Sequence, residues 1–296
     1  MNELRLTETL HPTRTGLQEF DNLLGIDDIK EAVVDELLMI LNRQRLEAWT
    51  KKHHGGGLGI LEMNRSTLPL IVLSGDVGCG KTALASCVAT PVAKALDKRI
   101  ACLESPSNIR GGGHVGELSS RITETFAQAQ ARAAAVGLGI LVVDEADDLA
   151  TSRGQMQAHH EDRAGVNVLI KQIDQLALSK TPMAVIMITN RAGALDPAVL
   201  RRAALHLTFE RPNDEARTAV FTRILKGSAA SEKEIKELVR LTNKVPQYTF
   251  SDLTHRISRL ALRRAWKLDK PFGLEVLKSA IAEVAPSPAM EKASLS

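Results

Sequence analysis

Eight consecutive residues, 75–82, have the types and spacing that hold a nucleoside triphosphate. The segment reads Gly-Asp-Val-Gly-Cys-Gly-Lys-Thr and fits the pattern G-x-x-x-x-G-K-[ST] at every fixed position. Glycines let backbone N–H groups curl around phosphate oxygens, and the N-terminal end of a following helix adds positive charge. Lys81 can reach the β- and γ-phosphates, and Thr82 can ligate Mg²⁺. The expected nucleotide contacts are Gly75, Asp76, Val77, Gly78, Cys79, Gly80, Lys81, Thr82 and Ala83.

Two adjacent carboxylates, Asp144 and Glu145, follow the apolar run of residues 140–143. In parallel sheets, ligand-contacting groups lie at the carboxyl ends of strands. Asp144 would then support Mg²⁺ through a water molecule, and Glu145 would orient or deprotonate the attacking water. The alternative is an acidic helix N-terminus, which favours negative charge in any protein. The phosphate loop earlier in the chain favours the hydrolytic role.

Three more polar residues could act on the γ-phosphate. Asn190 follows another apolar run and could bridge the γ-phosphate and the attacking water, although a turn-forming asparagine is the alternative. Further on, Asp196-Pro197 opens a short helix in the manner of a cap followed by proline. Arg201 and Arg202 at its end are candidates for an arginine finger, or are cations at a helix C-terminus. The sequence does not choose between the two arginines.

The elements that must position these residues alternate between strands and helices. Helical patterns separate strand-like runs at residues 68–73, 99–103, 139–143, 184–188 and 207–209. This alternation predicts an α/β fold with a parallel five-stranded P-loop sheet flanked by helices. After Pro212 only helices are indicated, which predicts a small all-α lid domain. The predicted organisation is a short N-terminal segment (1–19), a large α/β domain (20–211), the lid (212–284) and a disordered tail (285–296).

Composition narrows the class of protein. Among 296 residues, 25% are charged and 44% are apolar, which is typical of soluble globular proteins. A net charge of +3 does not by itself indicate a nucleic-acid partner. The three cysteines lack metal-ligand spacing, which favours reduced thiols. Apolar runs fall short of the roughly 18 residues that a membrane span needs, and the first residues lack a signal-peptide core. We expect a cytoplasmic protein.

In this order, the motifs resemble those of AAA+ ATPases. Residues 75–82 are similar to Walker A, residues 140–145 to Walker B and Asn190 to sensor 1. Residues 20–26 resemble the segment that contacts adenine, which adds Leu24, Gly25 and Ile26 to the expected nucleotide contacts. The resemblance runs from about residue 20 to residue 284. It implies hydrolysis of ATP with Mg²⁺ in a homo-oligomeric ring, usually a hexamer, with the finger supplied by a neighbouring copy.

Two segments are similar to the pachytene-checkpoint branch, whose members remodel HORMA-domain proteins. They are residues 166–176 and the stretch that begins at Arg202 and includes Ala203, where many other branches carry Phe or Gly. Short bacterial members act beside HORMA proteins and cyclic-oligonucleotide synthases in antiphage (CBASS-like) signalling. The resemblance therefore implies a compact bacterial remodeller whose protein client is a HORMA-like domain protein.

The chain departs from the family pattern at two places. Remodelling ATPases usually carry an aromatic and an aliphatic residue in a central-pore loop, where this chain has His114 and Val115 among glycines. A glycine-rich turn is the alternative. The family's sensor 2 arginine corresponds to Leu253, and Arg256 lies one turn later. No sensor 2 arginine is therefore assigned.

Two other functions compete with remodelling. A DNA-directed AAA+ ATPase, such as a helicase loader or motor, would use the basic stretch 256–267 with Trp266 as a phosphate and stacking surface. The near-neutral charge and the lack of a recognisable DNA-binding appendage argue against it. A nucleotide-gated scaffold without turnover is the other alternative, and Lys81, Glu145 and the arginine pair argue against that.

Overall fold

The structure is a computed structural model, which describes residues 5–63, 68–106, 116–149 and 160–289. The chain divides into two compact units. Unit 1 comprises residues 1–21, 28–74 and 82–208, and unit 2 comprises residues 22–27, 75–81 and 209–296.

A mostly parallel sheet forms the centre of unit 1. In the described ranges it has six strands in the order β1-β3-β4-β5-β2-β6. Strands β2 to β5 pair in parallel, whereas β1 is antiparallel to β3. The predicted α/β fold class is confirmed, and the sheet has one strand more than the predicted five. The strands are β1 (Thr7–His11), β2 (Leu70–Gly75), β3 (Ile100–Glu104), β4 (Gly139–Val143), β5 (Met183–Thr189) and β6 (Ala203–Phe209).

The extra strand β1 lies in the segment predicted to be a short N-terminal extension. Its residues pair with β3 from Thr7 opposite Glu104 to His11 opposite Ile100. The sequence of this strand, TETLH, has no alternation of apolar and polar residues, and His11 is its one buried residue. Because backbone hydrogen bonds hold this edge strand, a search for hydrophobic periodicity does not find it.

Three of the four inner strands, β2, β4 and β5, are buried almost completely, as expected for a parallel sheet covered on both faces. Val72, Leu141 and Val185 of these strands belong to one apolar core with Phe126 and Leu169 from helices. The helices of unit 1 are α1 (Arg14–Asn22), α2 (Asp27–Leu41), α3 (Arg43–His54), α4 (Gly59–Met63), α5 (Lys81–Cys87), α6 (Ala89–Leu96), α7 (Glu117–Val136), α8 (His160–Ala177) and α9 (Pro197–Leu200).

After β6, unit 2 continues as helices. Its core includes Phe221, Leu238, Tyr248 and Leu277. A capping box, in which the Ser231 hydroxyl and the Glu234 carboxylate bond each other's backbone N–H, begins the second of these helices. A π-helical turn (Asp252–Ile257) leads directly into the third. The helices are α10 (Asp214–Ile224), α11 (Glu232–Leu241), α12 (Ser258–Lys267) and α13 (Leu274–Glu283). In the described ranges, every helix falls short of the length and apolar character of a membrane span.

The structure describes the first five residues of the predicted tail, 285–289. Residues 285–289 have no regular secondary structure, but Ser287 is bound on two sides. Its N–H and its hydroxyl donate to the buried Asp252 carboxylate at 3.0 and 2.7 Å. A buried carboxylate needs such donors, and no composition rule reveals this need. Residues 290–296 lie outside the described residues.

Candidate nucleotide-binding site

The phosphate loop has a backbone that favours glycine at three positions. Gly75 has φ +130°, Gly78 has φ +76° and Gly80 has φ +101°, all in the region that L side chains rarely adopt. A Cβ atom at Gly75 would also lie 2.1 Å from the carbonyl oxygen of Phe209, which is far inside van der Waals contact. The glycines of the motif are therefore required by geometry.

Lys81 places its charge within the same loop. Its side chain is buried, and Nζ donates to the carbonyl oxygens of Gly75 at 2.8 Å and Asp76 at 2.7 Å. An ammonium group bonded to loop carbonyls can exchange them for the oxygens of a phosphate that enters the loop. This geometry fits the phosphate-binding role expected from the sequence.

Cys79 also lies in this loop and is buried. Burial raises the pKa of its thiol to about 11, and the neighbouring Lys81 opposes this effect only in part. The thiol is therefore neutral near pH 7 and acts as a small apolar side chain. Cys87 and Cys102 are likewise buried and free of disulfides.

Thr82 and Asp144 come together as the two side chains expected near Mg²⁺. The Thr82 hydroxyl, in the first turn of α5, donates to Asp144 Oδ2 at 2.9 Å, directly after β4. A hydroxyl and a carboxylate are the hard oxygen ligands that this cation prefers. Within the described ranges, no group of three or more His, Cys, Asp or Glu side chains forms a metal site by itself. The pair therefore fits an ion that the nucleotide helps to bind.

Glu145 stands in an unusual backbone conformation. It has φ +53° and ψ +42°, the left-handed region, and its side chain is exposed. A non-glycine residue in this region costs roughly 1–2 kcal/mol and persists only where neighbouring contacts enforce it. One such contact is the Glu145 N–H, which donates to Asp144 Oδ1 at 2.8 Å. Both oxygens of Asp144 are therefore engaged, by the Glu145 N–H and the Thr82 hydroxyl, whereas the Glu145 side chain is exposed.

The sheet register brings the relevant strand ends to one edge. Ser74 of β2 pairs with Thr189 of β5, and Val143 of β4 pairs with Met187 of β5. Asn190, which is half-buried, follows at the end of β5. The Thr189 hydroxyl donates to Asp147 Oδ1 at 2.8 Å and so joins the ends of β5 and β4. Sequence reasoning missed this contact, because no motif marks a threonine at that position.

The segment expected to contact adenine lies in unit 2 with the phosphate loop. Gly25 has φ +72°, and a Cβ atom there would lie 2.4 Å from Cβ of Ala216. Ile26 is buried, and its Cδ1 atom lies 3.9 Å from the position that a Cβ atom would take at Gly80. Leu24 packs against the helical core of unit 2. The structure therefore places Ile26 beside the loop.

The two candidate finger arginines make different contacts. Arg202 donates from Nε and Nη2 to the Asp174 carboxylate at 2.7 and 3.1 Å, and from Nη1 to the Ala198 carbonyl. The hydrogen bond to Asp174 raises the pKa of Arg202. Arg201 is exposed and makes no ion pair with any described residue. The predicted cap is present, since Asp196 Oδ1 accepts from the Ala198 N–H at 2.8 Å.

Two remaining expectations have different outcomes. Arg256 donates to Asp252 Oδ1 at 2.5 Å and to the Ala285 carbonyl at 3.1 Å, so it is engaged within unit 2. His114 and Val115, the expected pore residues, lie outside the described residues.

A parallel sheet with a phosphate loop after β2, an acidic pair after β4 and a helical unit defines a P-loop ATPase of the AAA class. The family model for "ATPase family associated with various cellular activities (AAA)" matches residues 71–211. CD-NTase-associated protein 6 of Escherichia coli (strain MS 115-1) is 39% identical over 98% of this chain and 98% of its own length. The chain belongs to the CD-NTase-associated protein 6 family of AAA ATPases, which confirms the recognition made from its motifs.

Solved structures agree with this assignment. A chain of the E. coli MS115-1 HORMA:CdnC:Trip13 complex matches with a TM-score of 0.89 at 36% identity, covering 97% of this chain and 98% of that one. Rhizobiales Trip13 matches with a TM-score of 0.74 at 35% identity, covering 95% and 98%. C. elegans PCH-2, at 16% identity and a TM-score of 0.69, shares the fold.

Proposed function

We propose that this chain couples ATP hydrolysis to the remodelling of a HORMA-domain protein in bacterial antiphage signalling. The observation that carries the proposal is the match over nearly the whole chain to a chain of the HORMA:CdnC:Trip13 complex. The full-length identity to CD-NTase-associated protein 6 supports it independently. Because 98% of the relative's length is matched, the whole relative and not one shared domain supports the comparison.

For the nucleotide, the proposal assigns the triphosphate to the loop of residues 75–82 and the metal to Thr82 and Asp144. Lys81 would move from the carbonyls of Gly75 and Asp76 to phosphate oxygens. Mg²⁺, when bound, neutralises charge on the β- and γ-phosphates. Thr82 would ligate it directly and Asp144 through a water molecule, and the proximity of their oxygens, 2.9 Å apart, supports a shared ion.

For the hydrolytic step, the proposal gives Glu145 the attacking water. Its exposed carboxylate can accept the proton of that water or orient it by a hydrogen bond. The left-handed backbone at Glu145 changes the direction of the chain after Asp144. Asp144 can then act on the metal while the adjacent Glu145 acts on the water. Asn190 at the end of β5 would hold the same water and the γ-phosphate.

For the ring, we propose a homo-oligomer, expected to be a hexamer, in which each copy supplies an arginine to its neighbour's nucleotide. Arg201 is the better candidate, since its guanidinium has no ion pair within the described chain while Arg202 is held by Asp174. The client would be gripped by His114 and Val115, whose apolar surface suits contact with varied sequence. The proposed domains remain 20–211 for the ATPase domain and 212–284 for the lid.

The ATPase assignment is tested with two variants that separate binding from chemistry. Lys81→Ala should weaken binding of a fluorescent ATP analogue, because Lys81 contacts phosphate before the reaction. Glu145→Gln should bind the analogue normally and lose most phosphate release, because it acts on the water in the transition state. Wild-type turnover by Glu145→Gln would remove Glu145 from the mechanism.

The client assignment is tested by trapping. Purified Glu145→Gln protein with Mg²⁺ and ATP should retain a purified HORMA-domain protein on a column, whereas Lys81→Ala should not. Val115→Asp should keep phosphate release and lose retention. Equal retention by all three variants without ATP would contradict nucleotide-driven engagement. Salt-sensitive binding of DNA instead would favour the DNA-directed alternative.

A further inference from the structure

Arg211 follows the last strand and joins the phosphate loop to the segment after α13. Its Nε donates to Asp76 Oδ2 at 2.7 Å. Its Nη1 donates to the carbonyls of Gln247 and Ser287, and its Nη2 donates to the carbonyl of Pro288 at 2.8 Å. The side chain is 9% exposed, so these four acceptors replace water around the guanidinium.

The segment of residues 285–288, which we name the strap, is itself held along its length. The Tyr248 hydroxyl donates to the carbonyl of Val284 at 2.6 Å, where the strap begins. Arg256 donates to the Ala285 carbonyl at 3.1 Å. Ser287 donates twice to Asp252, whose carboxylate is buried. Burial opposes ionisation of Asp252, but the bonds from Ser287, Arg256 and Thr249 outweigh it and lower its pKa to about 2.

A second contact to the phosphate loop comes from the residue next to Asp252, the carboxylate that binds the strap. The Ser251 N–H donates to the Gly78 carbonyl at 3.0 Å, and Ser251 directly precedes Asp252. The loop is therefore held at Asp76 by the Arg211 side chain and at Gly78 by the turn that binds the strap. All of these groups belong to unit 2.

We propose that Arg211 is a positioning residue for the nucleotide, and that the strap acts through Arg211 to set the shape of the phosphate loop. The inference rests on the proposed role of residues 75–82 in ATP binding. Arg211 and the strap lie outside the motifs identified in the sequence.

The strap affects the phosphate loop through the hydrogen bonds that its carbonyls accept from Arg211. Without the strap, Arg211 would lose the carbonyls of Ser287 and Pro288, and two donor groups in a nearly buried guanidinium would need new partners. Water would take the place of these carbonyls, and a guanidinium that is solvated and less constrained would hold its bond to Asp76 more weakly. Asp76 supplies one of the two carbonyls that hold Lys81, so the disturbance reaches the ammonium group that binds phosphate.

The test compares two shortened variants with two matched substitutions, each substitution made in the full-length protein. A variant that ends at Val284 removes the strap, whereas a variant that ends at Ala289 keeps it. Arg211→Lys keeps a charge beside Asp76 but lacks the planar fork that reaches the strap carbonyls. Arg264→Lys makes the same change in the ion pair between Arg264 of α12 and Glu283 of α13, neither of which belongs to the phosphate loop.

We measure the affinity for a fluorescent ATP analogue, KM and kcat for ATP, and Tm. The variant ending at Val284 and Arg211→Lys should each bind about tenfold more weakly, the loss expected for one charge-assisted hydrogen bond. KM should rise by the same factor while kcat at saturating ATP stays within about twofold, a split that general destabilisation would not produce. The variant ending at Ala289 and Arg264→Lys should match the wild type.

Lys81→Ala serves as the reference for a damaged nucleotide site. If it loses affinity while the folded Arg211→Lys protein binds like the wild type, the inference is overturned and the ATP site stands. If the variant ending at Val284 does not fold, Arg211→Lys decides by itself. If the wild type fails to bind the analogue, the proposed function falls, and the inference with it.

Discussion

Glu145 offers a test in which activity and stability should move in opposite directions. Its backbone lies in the left-handed region, with φ +53° and ψ +42°. Glu145→Gly removes the Cβ atom that makes this conformation unfavourable, and it also removes the carboxylate proposed to act on water. The variant should therefore be inactive and yet at least as stable as the wild type.

The expected change in the free energy of unfolding of Glu145→Gly is the sum of two opposing effects. Relief of the left-handed conformation is worth roughly 1–2 kcal/mol, and the added freedom of glycine in the unfolded chain costs about 0.4–1 kcal/mol. The net expectation is stabilisation of about 0.5–1 kcal/mol, or about 2 °C in Tm for a chain of this size. Glu145→Ala loses the same carboxylate but keeps the Cβ atom, so it should be less stable than Glu145→Gly by about 1 kcal/mol.

The assay is denaturant unfolding together with phosphate release. Asp97→Gly is the matched control, because Asp97 is exposed at φ +50° and lies outside the proposed site. It should gain stability similarly and keep its activity. If Glu145→Gly proves less stable than Glu145→Ala, the backbone at this position is not strained and the reasoning fails.

Three further predictions concern other groups. Arg201→Ala should lower turnover about 10³-fold or more as an essential finger, whereas Arg202→Ala should mainly cost stability through loss of its bonds to Asp174; the reverse order in a phosphate-release assay would exchange their roles. Because the pKa of Asp252 is lowered from 3.8 to about 2, its ionised form should contribute about 2 kcal/mol to the free energy of unfolding above pH 4, and this contribution is lost between pH 4 and 2. Asp252→Asn should lack this contribution at neutral pH, and its free energy of unfolding should change less with pH over that acid range. Identical pH profiles for the two proteins would contradict this prediction. Because burial raises the pKa of the Cys79 thiol to about 11, only about 0.1% of it is thiolate at pH 8. Iodoacetamide should therefore label Cys79 slowly in the native protein and quickly in the unfolded protein, as followed by mass spectrometry. Rapid labelling of Cys79 in the folded protein would show that the thiol is accessible and contradict this prediction.

The motifs were predictable because each is local. Lys81 and Thr82 stand at fixed positions in one turn, and Asp144 and Glu145 are adjacent to a short apolar run. Parallel strand ends share one edge, so their meeting could be expected before the register was known. The left-handed backbone at Glu145 could not be expected, because it depends on the packing around the start of a 3₁₀ turn.

The parts that escaped prediction depend on contacts between distant residues. Strand β1 is held by backbone pairing and offers no apolar period. The different contacts of Arg201 and Arg202 could not be predicted, because they depend on the position of Asp174, on another helix. The contacts of the strap could not be predicted from its small and polar residues, because Ser287 donates to a buried carboxylate 35 residues earlier in the chain.

The central claim is that hydrolysis of ATP drives remodelling of a HORMA-domain protein. The most direct measurement incubates a substoichiometric amount of the chain with a purified HORMA-domain protein, Mg²⁺ and ATP, and follows the client by hydrogen exchange together with phosphate release. The account predicts that each ring converts many client molecules, and that Glu145→Gln converts none beyond those it binds. Conversion by Glu145→Gln at the wild-type rate, or phosphate release with no change in any client, would contradict it.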